Sequence, residues 1–188
     1  MTRRYWLAAG ALLLAPIAAQ AQGMDHGAIT AQQAAMAKIA PMRGIWRGPA
    51  STKTPQGEIR MTQTERVGPF LDGTLTLVEG KAYLEDGSVG FNAFATISYD
   101  VATKTYWMNS HAQGRSGRFE LKLTGTGWTW DIPAGPAMIH YEARFEGGKW
   151  TEVGDRIAPG QPPQRFFEMT LTRIGDTDWP LAGGVTKN

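Results

Sequence analysis

Three residues spaced two apart, His140, Glu142 and Arg144, have side chains that general acid–base chemistry uses. In an extended strand these side chains would point to the same side. A histidine beside a carboxylate at this spacing could move a proton or contribute to a metal site. The residues that alternate with them are apolar, namely Ile139, Tyr141, Ala143 and Phe145. The pattern therefore favours a polar face turned to solvent and an apolar face turned to a core.

Two other polar residues are candidates for binding rather than catalysis. His111 shares a strand face with Trp107 and could ligate haem iron through its imidazole, although a structural or surface role is the alternative. Glu168 lies in a segment whose two faces both mix polar and apolar residues. It is either a polar anchor inside an apolar pocket or the ion-pair partner of an arginine such as Arg165 or Arg144.

The sequence contains no recognisable catalytic motif, so we predict no catalytic residue, no metal and no resident cofactor other than haem. A nucleophile elbow, a phosphate-binding glycine loop and a zinc-protease helix motif are all missing from it. It has no cysteine, which excludes disulfides and thiolate metal sites. There is also no basic run of the kind that binds nucleic acid.

The first 21 residues are expected to be a secretory signal peptide cleaved after Ala21. Arg3 and Arg4 precede a short apolar run, and Ala19-Gln20-Ala21 is a small-x-small cleavage site. The paired arginines also leave twin-arginine export open. The run is too short to predict a stable membrane span. Without these two arginines the rest of the chain carries 17 basic and 17 acidic residues, and we expect a periplasmic or secreted protein.

The elements that must position the candidate residues are strands, preceded by a leader and short helix within residues 22–41. Thr30 is the expected N-cap of a helix from Ala31 to Ile39, and Pro41 prevents its continuation. Alternation and turn residues then predict about ten strands, with 70–85 as either one bent strand or two. The expected strands are 43–52, 57–67, 70–78, 80–85, 89–99, 104–111, 117–124, 127–132, 137–146, 149–157 and 165–174.

Short connections between these strands predict an all-β, antiparallel up-and-down barrel over residues 42–175, followed by a tail at 176–188. No connection is long enough to hold a crossover helix, and barrel closure removes exposed strand edges. About ten strands would leave room for a ligand. The aromatic residues expected on the inner wall are Trp107, Trp128, Trp130, Tyr141 and Phe145.

The pattern resembles the calycin superfamily, which includes lipocalins and fatty-acid-binding proteins. Gly44-x-Trp46 follows a short helix, and Arg173 ends the last strand, where the family packs its tryptophan against an arginine to close the barrel. The chain is more closely similar to an exported bacterial lipocalin-like family of unknown function. That similarity lies in Leu71-Asp72-Gly73, Ile97–Asp100, Trp150–Gly154 and Phe167–Arg173.

The resemblance implies a fold rather than a reaction, and the leading hypothesis is an exported, non-catalytic barrel that binds a small apolar or amphipathic ligand, with His111 and Glu168 as polar selectors. Trp46 and Arg173 are expected to form a structural cation–π pair. Three alternatives remain open, since fold does not fix function. They are an isomerase or hydrolase acting in the lumen, a haem-binding barrel, and a structural envelope protein with a filled core.

Overall fold

The computed structural model describes residues 25–177 and 179, and it begins with a helix that starts earlier than the sequence predicts. Helix α1 (His26–Met36) continues directly into a 3-10 helix at Ala37–Met42. Asp25 caps it, because its Oδ1 accepts a hydrogen bond from the Ala28 N–H at 2.9 Å. The expected cap, Thr30, lies inside the helix and donates its hydroxyl to the His26 carbonyl.

Ten antiparallel strands follow and account for most of the described chain. They confirm the predicted fold class, and the uncertain 70–85 stretch is a short 3-10 turn followed by a single strand. The strands are β1 (Gly44–Thr54), β2 (Gly57–Phe70), β3 (Leu75–Tyr83), β4 (Val89–Asp100), β5 (Thr105–Ala112), β6 (Arg115–Leu123), β7 (Gly127–Ala134), β8 (Ala137–Glu146), β9 (Lys149–Ile157) and β10 (Gln164–Gly175).

Each strand pairs with its neighbours in sequence, and β1 pairs with β10 to close the barrel. The closing register places Ala50 opposite Met169 and Trp46 opposite Arg173. The β6–β7 pairing is the shortest of the ladder, with only Lys122–Thr129 and Leu123–Trp128 in register. Phe119 and Trp130 extend contact across this seam, with ring centroids 5.3 Å apart.

Trp46 and Arg173 meet at the closure, but not through the expected cation–π contact. The Trp46 side chain is buried inside the barrel and donates its Nε1–H to the Met42 carbonyl at 2.8 Å. Arg173 instead donates to the Arg43 carbonyl at 3.2 Å and pairs with Asp176. Among the described residues, arginines lie over the rings of Trp179 and Trp107 but not over Trp46.

The helical segment closes one end of the barrel. Met36, Ile39 and Met42 are almost fully buried there and extend the inward-facing core of the strands. The Tyr106 hydroxyl donates to the Ala35 carbonyl at 2.7 Å, and Gln32 donates to the Tyr99 carbonyl at 2.8 Å. These bonds hold the helix against β4 and β5.

The predicted signal peptide and most of the predicted tail lie outside the described residues. The start of the tail packs on β2, where Thr177 donates to the Val67 carbonyl and Trp179 lies 4.6 Å from the Arg66 guanidinium. In the part of the chain that the structure describes, no helix has the length and apolar character needed to cross a membrane.

Candidate functional site

A cavity of about 510 Å³ occupies the barrel beyond the tryptophan-rich core. Met42, Trp128 and Trp150 form its floor, where it meets the buried core. Its lining extends to Ile59, which is 41% exposed, so the cavity reaches the surface at the end of the barrel away from the helix. A ligand could therefore enter without displacing α1.

Small residues on β3 and β4 create the space. Gly80, Ala93 and Ala95 all face inward and line the cavity. A Cβ atom at position 80 would lie 2.7 Å from the Glu65 Oε1, closer than such atoms approach in proteins. Glycine at this position therefore leaves the room that the Glu65 carboxyl occupies.

Aromatic rings form the opposite side. Trp130 and Tyr141 stack with centroids 4.4 Å apart and an interplanar angle of 10°. The rings of Phe166 and Phe167 are T-shaped relative to the Tyr141 ring, with ring centroids 6.0 and 6.1 Å from it. Both phenylalanines reach the cavity because the register of β10 shifts between Arg165 and Phe167, which turns two consecutive side chains inward.

Glu65 is a buried carboxyl in this otherwise apolar wall. Its Oε1 accepts a hydrogen bond from the Gln63 amide at 2.6 Å, and its Oε2 has no hydrogen-bond partner among the described residues. Burial raises the pKa of Glu65 to about 8, and the negative charge of Glu152 adds to the rise. The side chain is therefore mostly protonated at neutral pH.

Glu152 is the second buried carboxyl and belongs to β9. Its Oε2 accepts a hydrogen bond from the Trp150 indole at 3.2 Å, while its Oε1 is unpaired among the described residues. Burial raises the pKa of Glu152 to about 7. Burial also raises the pKa of the nearby Tyr141 hydroxyl to about 12, which keeps that group neutral. Both carboxyls therefore change their protonation state near neutral pH.

No basic side chain accompanies these carboxyls. Among the described residues that line the cavity, the titratable groups are Glu65, Glu152 and Tyr141, and none is a lysine, arginine or histidine. Each carboxyl thus has one oxygen held by a protein donor and one oxygen left for a ligand or water. The arrangement can accept hydrogen bonds from a ligand or exchange protons with it.

Three of the predicted wall residues, Trp128, Trp130 and Tyr141, do line the cavity. Phe145 also faces inward, but it packs in the closed end against Trp128 and Trp150, with centroids 4.6 and 4.8 Å apart. Alternation placed these four correctly because β7 and β8 separate polar and apolar residues cleanly. Ligand contact by any of them stays a prediction.

The other three predicted site residues lie on the outer surface, so the prediction that they line the lumen is wrong. In β5 the inward residues are Tyr106, Met108 and Ser110, which places Trp107 outside beneath the Arg118 guanidinium at 4.2 Å and leaves His111 exposed. The Glu168 side chain is 57% exposed and pairs with Arg165 at 3.2 Å. The alternative prediction of an ion pair with Arg165 is thus confirmed.

His140 and Glu142 also lie on the outer face. His140 Nδ1 lies 2.7 Å from the Asp131 carboxylate, and Glu142 pairs with Arg144 at 2.6 Å. Neither side chain lines the cavity. This placement agrees with the predicted solvent-facing side of the strand and removes the main support for catalysis by these two residues.

The cavity does not fit a haem held by histidine. His111 and His140 point outward, and no histidine or cysteine lines the lumen in the described part of the chain. The described residues also contain no group of three or more histidine, cysteine or acidic residues that could hold a metal ion.

The sequence reasoning missed Gln63, Glu65 and Glu152. A signal was present, because Gln63 and Glu65 alternate with the same phase as Met61 and Val67, which are apolar. Glu152 likewise shares a face with Trp150. A carboxylate in phase with an apolar face is the pattern that identifies a buried acid.

Comparisons with known proteins yield a fold but no family. No family model matches the chain, and no curated protein does. Among solved structures, the chain is similar to the crystal structure of Rv2717c from Mycobacterium tuberculosis, with a TM-score of 0.57 and 14% sequence identity. The match covers 74% of this chain and 97% of the other. At this identity the similarity concerns the barrel fold alone.

Proposed function

We propose that this protein is a binding barrel for a small apolar or amphipathic ligand. The observation that carries the proposal is the 510 Å³ cavity, which is lined mainly by apolar and aromatic side chains and holds two buried acids. Concave, mostly apolar sites with a few oriented polar groups are the usual form of small-molecule sites. Affinity would come from burial of the ligand's apolar surface.

A pair of tryptophan substitutions on one strand tests this proposal. Ala93 lines the cavity, whereas its neighbour Asn92 is exposed on the outer face. We expect Ala93→Trp to fill the lumen and weaken binding of a neutral fluorescent probe, N-phenyl-1-naphthylamine, by tenfold or more. Asn92→Trp is the matched control and should bind the probe as the parent does. Equal binding by both variants, or no binding by the parent, would contradict a ligand-binding lumen.

A hydrolase or isomerase acting in the lumen is the second candidate function. The observation that favours it is the pair of buried acids with pKa values raised toward neutrality, which is common at catalytic sites. Liquid chromatography with mass spectrometry of the ligand that co-purifies with protein from its source cells, before and after incubation, separates the two functions. A carrier returns the compound with its mass and retention time unchanged, whereas a hydrolase changes its mass and an isomerase changes its retention time.

The chain is further proposed to be an exported lipocalin-like protein. The ten-strand closed barrel with an N-terminal helix supports that grouping, and the paired arginines, apolar run and Ala19-Gln20-Ala21 support export. Intact-mass measurement of protein from a periplasmic fraction tests the second part. We expect a chain that begins at Gln22, and a mass that retains residues 1–21 would contradict cleavage.

A further inference from the structure

The chemistry of the cavity wall narrows the class of ligand. The described residues that line the cavity include two acidic side chains, Glu65 and Glu152, and no basic side chain. A ligand carboxylate would meet two acids and no cation, which is unfavourable in a low-dielectric site. A ligand cation would meet two acceptor oxygens that have no hydrogen-bond partner among the described residues.

The rings around the cavity point to the same ligand charge. Trp128, Trp130, Tyr141 and Trp150 line the lumen together with the two acids. The face of an aromatic ring attracts a cation, most strongly for tryptophan, and desolvation strengthens the attraction. A wall that combines tryptophan rings with carboxylates suits an ammonium group better than a hydroxyl or a carboxylate.

We propose that the cavity takes an amphipathic amine, a ligand with an apolar body and one ammonium group held at Glu65 and Glu152 against the surrounding rings. This inference rests on the proposed binding function and names its ligand class. Gln63 and Trp150 are positioning residues, because their N–H groups hold one oxygen of each acid and leave the other for the ligand.

Proton release accompanies such binding. Burial keeps protons on the two acids near neutral pH by raising their pKa values, and for Glu65 the negative charges of Glu152 and Glu79 add to the rise. An ammonium ion supplies an opposite charge and favours the ionised carboxylates. Tyr141 faces the same space and stays neutral throughout. Affinity for a permanently charged ligand should therefore rise as pH increases from 6 to 9.

Compounds that share a dodecyl chain and differ only in their head group test the proposal. Displacement of N-phenyl-1-naphthylamine from the purified full chain is measured with dodecylamine, dodecanol and dodecanoate, with the amine and the carboxylate below their micelle concentrations and the alcohol below its solubility limit. We expect dodecylamine to bind at least tenfold more tightly than dodecanol, and dodecanoate to bind most weakly. Dodecyltrimethylammonium keeps its charge at every pH and reports the expected increase between pH 6 and 9.

Glutamine variants assign the preference to the two acids. The double variant Glu65→Gln/Glu152→Gln should bind dodecylamine and dodecanol within threefold of each other and lose the pH dependence. The control Glu120→Gln/Glu146→Gln makes the same two substitutions at exposed positions and should keep both the amine preference and the pH dependence. Equal or tighter binding of dodecanoate, or an unchanged amine preference in the double variant, would overturn the ligand class. Failure of the probe and of every dodecyl compound to bind would overturn the proposed function as well.

Discussion

The two halves of this barrel are built from the same alternating strands, yet one is filled and the other is hollow. At the helix end, Trp46, Phe145 and Trp150 contact one another with centroids 4.8 to 6.1 Å apart. In the other half the corresponding inward positions on β3 and β4 include Gly80 and Ala93. Side-chain volume at each level, rather than strand number, decides where the lumen opens.

The halves also differ in how they treat polar groups. In the filled half, buried polar groups such as the Tyr106 hydroxyl and the Trp46 indole donate to backbone carbonyls. In the hollow half, Glu65 and Glu152 each keep an oxygen without a protein donor. The filled half also holds one buried hydroxyl, that of Thr76, without a hydrogen-bond partner among the described residues, but both buried carboxyls lie in the hollow half.

The largest expected effect comes from removing the centre of the filled half. Trp46→Ala deletes a side chain that is 2% exposed, and we expect a loss of about 3–5 kcal/mol in the free energy of unfolding. Trp107→Ala is the matched control on the outer face and should lose markedly less. Urea denaturation measures both, and equal losses would contradict the assignment of Trp46 to the packed core and of Trp107 to the outer face.

The hollow half should govern the pH dependence of stability. The folded-state pKa values of Glu65 and Glu152 lie above the ordinary value of 4.5, so the folded protein binds protons that the unfolded chain has released. The free energy of unfolding should therefore fall from about pH 4.5 to 8, by up to about 1.4 kcal/mol per pH unit for each acid that stays protonated.

Thermal unfolding of the Glu65→Gln/Glu152→Gln variant across that pH range provides the measurement. We expect a flatter profile than that of the parent and a higher Tm than the parent at pH 8. A parent whose stability rises through this interval, with the variant following it, would show that the two acids are ionised in the folded cavity.

A smaller effect is expected at the junction of helix and barrel. Tyr106→Phe removes the hydroxyl that donates to the Ala35 carbonyl, and we expect a loss of about 1 kcal/mol. Tyr83→Phe is the control, because its hydroxyl makes no hydrogen bond among the described residues. If urea denaturation shows the same stability for both variants, the helix does not depend on this contact to seal the barrel.

The smallest effect should follow changes on the outer face. His140→Ala breaks the contact with Asp131, in which the two side chains are 32% and 40% exposed, and should change stability by about 1 kcal/mol or less. Probe binding should stay the same. A large loss of binding or of ligand conversion would show that His140 contributes to function despite its position on the outer face.

Much of the fold could be predicted from the sequence because β7 and β8 alternate clearly between polar and apolar residues. That alternation placed Trp128, Trp130 and Tyr141 inside. The strand number followed from turns such as Gly147-Gly148, where both glycines have positive φ angles of 58° and 71°. The start of α1 was misplaced because Asp25 satisfies an exposed N–H earlier in the chain.

The site was harder to predict, for physical reasons that differ by strand. In β10 a register shift turns both Phe166 and Phe167 inward. Strict alternation of inward and outward side chains cannot predict two consecutive inward residues. In β2, Glu65 occupies an inward position that hydrophobic patterning normally assigns to apolar residues. These cavity-lining positions break the pattern on which strand prediction depends.

The β1–β10 pairing has a consequence for how the chain must fold. Strand β1 pairs with β2 on one side and with the last strand, β10, on the other, at pairs such as Ala50 and Met169. Until β10 is available, β1 and β9 each remain an unpaired edge, so nascent or truncated chains are open sheets prone to aggregate. Because β1 and β10 are neighbours, the barrel should tolerate circular permutation. A chain whose original termini are linked and which begins at the Gly147-Gly148 turn would keep the same neighbours for every strand.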